Sequence, residues 1–294
     1  MIKFTRISLL IILIWFIWTF NLKPLWINKE INFALALAEK ESCDQSLQIM
    51  DDLLKEKSFL DNYIRLKYVE ITSQCLEQKK SDQAKELIEK TIKALEEATV
   101  SRPYYTRAWM LLGKYNLILM ENWSEDRIEQ ARNALTKALE LSPKRQETIV
   151  ELARADILAK EYEAAREKAN ACLEIDSSLG DCYWLAGLSN IYLDNLEESD
   201  KYLTQASQKG YPTKTKDSWL ALIKAYIKIE SYPHLAKAYP ALIKLDPNNP
   251  QYYASLAFVY QKLGQIEEAK KQALKIIELF PEHRQEAEAF IENL

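Results

Sequence analysis

The sequence predicts an all-α solenoid of about seven stacked helix pairs, and three observations predict it. First, a pattern recurs at a fixed interval: Trp219, Leu222, Tyr226 and Pro247 return 34 residues later as Tyr253, Leu256, Tyr260 and Pro281. Second, the helix breakers are few, 5 Gly and 9 Pro in 294 residues, and they fall between apolar stripes, as Pro103, Pro143, Gly180, Pro247, Gly264 and Pro281 do. Third, stretches alternating Val, Ile and Thr with polar residues are absent, which argues against sheet. An aromatic residue, a Leu three on and a Tyr four further on lie on one helical face. One such pair cannot cover its own apolar face, so copies must stack. A hydrophobic content of 48% is ample for a continuous seam.

Taken in order, residues 1–26 hold the most apolar stretch, Ile7 to Phe20. Counted from Phe4 to Trp26 it is 23 residues, about 34 Å as a helix, enough to cross a hydrocarbon core if Arg6 and Lys23 snorkel. We read residues 4–26 as a membrane anchor. A cleaved signal peptide and a buried soluble helix are the other readings, but no small-x-small cleavage site follows Phe20 at a suitable distance, and the stretch is apolar all round. The amino terminus, Lys3 and Arg6 before the span, against Lys23 and Lys29 after it, favour a cytoplasmic N-terminus and an extracytoplasmic remainder. A short segment with Pro24 is expected to connect the span to the first repeat.

Repeats follow at about 27–60, 61–102, 104–144, 145–179, 180–213, 216–249 and 250–283. In the first, Ala34 and Ala38 face Leu47, Met50 and Leu54. In the second, Ala84, Ile88, Ile92 and Leu95 prolong the second helix. In the third, Trp109, Leu112 and Gly113 open the pair, and Ala131, Leu135, Ala138 and Pro143 close it, with about six extra residues (Glu121 to Asp126) expected in the turn. Ala165 and Cys172 mark the fourth repeat; Gly187, Ser199, Leu203 and Ala206 mark the fifth. In the sixth, Pro233 opens the second helix, and Pro240 predicts a kink in it. Residues 284–294, with Ala287, Phe290 and Ile291 on one side, suit a capping helix.

The W-x-x-L-G opening at Trp109, Leu112 and Gly113, the small residue about twenty on and the closing proline resemble the tetratricopeptide repeat (TPR) family. The resemblance implies a right-handed superhelix over residues 27–283 whose first helices line a concave groove, with proteins or peptides as partners. Carried over residue by residue, the groove positions are Arg65, Arg107, Met110, Lys114, Arg154, Trp184, Tyr192, Lys224 and Phe258. Cations with exposed aromatics there suit an extended acidic or C-terminal segment, or a polyanionic glycan. The competing reading packs Trp184 and Tyr192 between repeats and leaves the cations merely solvated. A narrower resemblance, of a membrane helix running into the segments Asn28–Cys75 and Ser101–Gly113, is to the C-terminal repeat tail of bacterial O-antigen ligase/polymerase-like membrane proteins. It implies a setting in cell-envelope or surface-polysaccharide assembly and carries no catalytic residue with it.

Four cysteines remain. Cys43 and Cys75 fall near turns of adjacent repeats, and Cys172 and Cys182 flank one bend, so two disulfides are open to an oxidising compartment. Cys172 also fits as a small apolar residue in the stripe. No Cys-x-x-Cys spacing exists, and His234 and His283 lie far from the thiols, so no metal site is expected. His234 reads as an exposed turn residue. There is no phosphate loop, nucleophile elbow or His-Glu-x-x-His pair, so neither catalysis nor a cofactor is expected. With 39 basic against 43 acidic residues, the chain offers no footprint for nucleic acid.

Overall fold

A computed structural model describes residues 2–56 and 58–294, with side chains from residue 9 onward. The side chains of Lys3 and Arg6, on which the flanking-charge reading leans, and of Phe4, where the span is counted from, lie outside that set. The chain is helical from end to end, with no strand among the described residues. It divides into two compact units, Met1–Glu151 and Leu152–Leu294.

In the first unit, α1 (Ile2–Ile17) runs through a five-residue π segment, Trp18–Leu22, into α2 (Lys23–Glu39). The expected connector around Pro24 is therefore helix. Pro24 has no N–H and its ring crowds the carbonyl four residues back. A single wide turn just before it, where Lys23 N–H donates to Trp18 O, absorbs both defects without breaking the helix. The 31 residues from Leu9 to Glu39 form one helical stretch, and its most apolar 18-residue window has a mean hydropathy of 1.7. Beyond Trp26 the helix becomes one-sided: Ile27, Ile31, Ala34 and Ala38 are buried. They pack on α3 (Cys43–Lys55) and α4 (Asp61–Cys75), around Met50, Ile64 and Tyr68. Inside that contact Ser46 Oγ donates to the Ala34 carbonyl at 2.6 Å.

The next elements are longer than the repeat requires. α5 (Ser81–Ser101) has 21 residues, as its prolonged stripe predicts, and α6 (Thr106–Trp123) has 18. The insertion expected in the turn before α7 (Ile128–Leu141) thus extends α6, since Glu121 to Trp123 continue the helix. Val69, Ile92, Leu112, Tyr115 and Leu119 join the three helices α4, α5 and α6 into one cluster. Across it the Tyr115 hydroxyl donates to Val69 O at 3.3 Å.

α8 (Gln146–Leu158) carries the chain into the second unit, where α9 (Tyr162–Ile175), α10 (Gly180–Tyr192), α11 (Leu196–Gln208), α12 (Lys216–Lys228), α13 (Tyr232–Leu245), α14 (Pro250–Lys262) and α15 (Ile266–Leu279) alternate as first and second helices. α16 (Arg284–Glu292) follows and buries Ala287 beside Tyr253, Ile276 and Phe280, closing the apolar seam as a cap does. α13 is continuous through Pro240, whose ring points to solvent. Two repeat signatures have a direct physical origin. The aromatic opening a first helix ties back to the proline that stopped the previous one: Trp109 Nε1 donates to Pro103 O at 2.8 Å, and Tyr253 Oη to Pro247 O at 3.1 Å. The turn that follows the first helix of a pair holds a left-handed residue, at Glu41, Ser124, Lys160, Asp194, Glu230 and Gly264. Schellman bonds reaching five residues back close several of these turns, as in Glu161 N to Asp156 O and Gln265 N to Tyr260 O.

Candidate functional site

The nine groove positions fall in both units, four in the first and five in the second. In the first unit, Arg65 is largely enclosed, with its guanidinium on Glu97 Oε2 at 2.9 Å. Lys114 Nζ lies 3.5 Å from the carboxylate of Glu151, itself buried. These two cations are neutralised within the chain and do not form a free basic track for an acidic ligand. Arg107 is exposed, whereas Met110 is buried at 8% exposure and belongs to the core.

In the second unit, Trp184 is buried at 5% exposure and stacks on Tyr211 with ring centroids 4.7 Å apart. It is a packing residue, and the expectation of an exposed aromatic there is corrected. The cause is local: Gly180, at the start of the same helix, lets the backbone of Tyr211 approach to a distance at which a Cβ would meet its N at 2.9 Å. Tyr192 is half-buried and stacks on Tyr162 at 4.3 Å with nearly parallel planes. Burial raises the Tyr192 hydroxyl to about 12, and Tyr211 and Tyr226 likewise to about 12, so these rings are neutral surfaces at ordinary pH. Arg154 is half-buried, and Lys224 and Phe258 are exposed.

Phe258 does belong to a recess. Ile227, Tyr232, Tyr239, Ala254, Ser255 and Phe258 line a depression of about 430 Å³ between the α12–α13 pair and α14. Ile227 is 52% exposed and Phe258 47%, an unusual outlay of apolar surface beside a pocket. Lys262 Nζ sits 5.2 Å from the Phe258 ring and Glu230 stands on the rim, so the apolar floor has charges of both signs at its edge. A second depression, about 340 Å³, lies on the other side of α14 against α15 and α16; Gln251 and Ala254 border both. Its lining includes Ala257, Ala273, Ile276 and Phe290.

Ile227 was missed in the sequence, although its signal was present. Leu220, Lys224 and Ile227 are spaced four and three apart, one helical face, and the register that picks out Lys224 picks out its neighbours too. His234 is half-buried, not an exposed turn residue: it stacks on Tyr226 at 4.8 Å, and its Nδ1 shares a 2.8 Å hydrogen bond with Ser231 Oγ. Ser231 is the N-cap residue of α13 and His234 its third helical residue, so the bond joins two side chains of the first turn and does not cap a backbone N–H. Among the described residues, no group of three or more His, Cys, Asp or Glu side chains could hold a metal ion. The cysteines are paired, Cys43 with Cys75 and Cys172 with Cys182, with Cα atoms 5.6 and 6.0 Å apart.

Comparison with known proteins agrees with this architecture. Family models described as tetratricopeptide repeat match residues 123–176 and 238–271. Hsp70-Hsp90 organizing proteins 3 and 2 of Arabidopsis thaliana are 33% and 34% identical over 91 and 89 residues, 30% of this chain but only 16% and 15% of theirs. The chain thus spans less than a fifth of the length of those relatives. Among solved structures, a tetratricopeptide repeat protein from Parabacteroides merdae superposes with a TM-score of 0.60 over 90% of this chain and 97% of its own, at 10% identity. The Cut9-Hcn1 hetero-tetramer of the APC/C gives 0.60 over 88% of this chain and 47% of the other, at 16% identity. The chain carries tetratricopeptide repeats, and its fold is that of a TPR solenoid.

Proposed function

We propose that this protein is a non-catalytic scaffold, tethered to a membrane by its N-terminal helix, that holds a protein partner on the first-helix face around α14. The observation that carries the reading is the pair Ile227 and Phe258, both about half exposed and both lining one recess. Apolar side chains left at the mouth of a pocket fit the burial of a partner's apolar anchor. The neighbouring depression beyond α14 shares Gln251 and Ala254 with the first and offers a second pocket for a peptide or a short helix. The relatives include proteins named for organizing Hsp70 and Hsp90, which supports a protein partner.

The partner has an apolar anchor with polar flanks. A purely acidic segment is a poorer match, because Arg65 and Lys114 already have carboxylate partners. A polyanionic glycan is the less favoured ligand for the same reason. The unbroken helix from the apolar stretch into the first repeat supports a membrane tether, and two cysteine pairs support an extracytoplasmic array in the cell envelope. A role beside surface-polysaccharide enzymes follows from the resemblance of that arrangement to the tail of O-antigen ligase-like proteins.

The test is photo-crosslinking capture in the native membrane with Ile227→Asp and Phe258→Asp, set beside Arg107→Glu. Both apolar positions are exposed, so the fold should survive. The reading requires that either Asp variant lose a defined crosslinked partner while Arg107→Glu retains it. Unchanged capture by both Asp variants would remove the site.

A further inference from the structure

We infer that the turn between α3 and α4 is a second membrane contact, in which Phe59 enters the interfacial layer of the bilayer beside Phe20. The first repeat would then rest on the lipid surface. This inference rests on the anchor reading above.

The geometry begins with the N-terminal helix. Eight consecutive residues, Leu9 to Phe16, are each more than half exposed, so the helix presents no polar side. A protein interface would cover one stripe of it; a surface apolar around its whole circumference calls for hydrocarbon on every side. The first charged side chain after this stretch is Lys23. That lysine does not reach outward as a snorkelling residue would: its Nζ lies 2.9 Å from Glu56, at the end of α3. The chain exit from the apolar layer is therefore pinned to the body of the first repeat by an ion pair.

Phe59 sits on the apolar side of that pin. Its ring stacks on Phe20, one turn back toward the span, with centroids 6.0 Å apart and planes 17° from parallel. Even so, Phe59 remains 52% exposed, beside Phe20 at 46%, Leu22 at 49%, Leu25 at 67% and Trp26 at 42%. Phe20 and Phe59 come from two separate segments yet stack as one exposed aromatic pair, with Leu22 before the Lys23–Glu56 ion pair and Leu25 and Trp26 just past it on the same helix. Aromatic side chains gathered where an apolar helix meets its first charges are what an interfacial belt consists of. The occupant is accordingly the headgroup–acyl boundary of a bilayer. No flexible linker intervenes, since π-helical Trp18–Leu22 leads straight into α2. Two contacts on a rigid helix fix the tilt of the first repeat against the surface, which a single flexible tether could not do.

The experiment places a photoreactive residue in the full chain, reconstituted in phosphatidylethanolamine and phosphatidylglycerol vesicles. Trp15→benzoylphenylalanine reports on the anchor, Phe59→benzoylphenylalanine on the proposed contact, and Tyr104→benzoylphenylalanine, at a side chain 85% exposed, serves as a solvent-facing reference. Lipid adducts are read by mass spectrometry. The expected result is lipid adducts at positions 15 and 59, several-fold above position 104. Adducts at 15 but only background at 59, or protein–protein adducts at 59, would overturn the docking while leaving the anchor in place. Background at 15 would overturn the anchor and this inference with it. A second variant, Phe59→Asp, should leave the helical content unchanged and abolish protection of the α3–α4 turn from added protease on vesicles.

Discussion

Gly113 of α6 and Leu135 of α7 meet so closely that a Cβ on the glycine would lie 2.4 Å from Leu135 Cγ and 3.0 Å from the Ala131 carbonyl oxygen. Putting Ala at 113 gains about 1 kcal/mol of helix propensity. Forcing a methyl against a branched carbon and a fixed carbonyl costs about 1–3 kcal/mol. Gly113→Ala should therefore destabilise the protein, by up to about 2 kcal/mol. Leu135→Ala in the same chain should relieve the crowding, so the double variant would show a favourable coupling in urea unfolding. A Gly113→Ala protein that melts higher than the parent would mean that the two helices cross further apart.

The left-handed turn residues make a second prediction. Lys160 and Asp194 occupy equivalent positions with φ of 64° and 59°. A lysine there carries a Cβ penalty that glycine avoids, partly offset by the entropy glycine loses on folding. Lys160→Gly should stabilise by about 0.5–1 kcal/mol. Asp194→Gly should gain less, because Asp tolerates this conformation. Thermal melts of the two single variants decide it: a larger gain at Asp194 than at Lys160 would contradict the conformational cause.

The sequence disclosed the repeat because its spacing is fixed by physics that is local to each copy. The Trp109–Pro103 and Tyr253–Pro247 hydrogen bonds each span six residues, so the motif that makes them is written in one short stretch. The state of the groove depends on partners a whole repeat away, and sequence spacing does not reveal them. Arg65 loses its freedom to Glu97, 32 residues on, and Trp184 is covered by Tyr211 in the following turn. A residue's position on a first-helix face was legible; whether a neighbouring repeat already satisfies or covers it was not. The lengthening of α6 was illegible for a related reason, since Glu121 to Trp123 suit helix and turn alike.

Ser199 supplies a third prediction. It occupies, at 34-residue intervals, the position of Ala131 and Ala165, and like them it is fully buried at 0% exposure. Its Oγ has no hydrogen-bond partner. An unsatisfied buried hydroxyl costs about 1–3 kcal/mol, and Ala is the better helix former. Ser199→Ala should raise stability by about 1 kcal/mol, measurable as a higher urea midpoint at unchanged slope. A lower midpoint would show that the hydroxyl is bonded in solution.

Alkaline stability follows from the buried tyrosines. Burial raises Tyr192, Tyr211 and Tyr226 to about 12 from the ordinary value of 10.0. A folded-state pKa above the unfolded one means that the folded form holds the proton more tightly. The stability these groups contribute is complete below pH 10 and is lost as pH rises from there toward 12. Unfolding followed by circular dichroism should set in within that window, together with phenolate absorbance. Phenolate absorbance from all sixteen tyrosines by pH 10.5 with the helix signal intact would refute the burial of these three.

The cysteine pairs bear on both stability and compartment. Cys43 and Cys75 close a loop over 32 residues and Cys172 and Cys182 one over 10. In the chain-entropy picture these cross-links stabilise by about 4 and about 3 kcal/mol, because the longer loop removes more freedom from the unfolded chain. Cys43→Ala with Cys75→Ala should therefore lower the unfolding midpoint more than Cys172→Ala with Cys182→Ala. Each paired deletion should also abolish part of the sensitivity to reductant that the parent displays. The decisive measurement is on protein taken from its native membrane and denatured without reductant. Alkylation should then add no mass, since every sulfur is engaged. Four alkylated thiols would place the array in a reducing compartment, and the orientation of the N-terminal helix would have to be reversed.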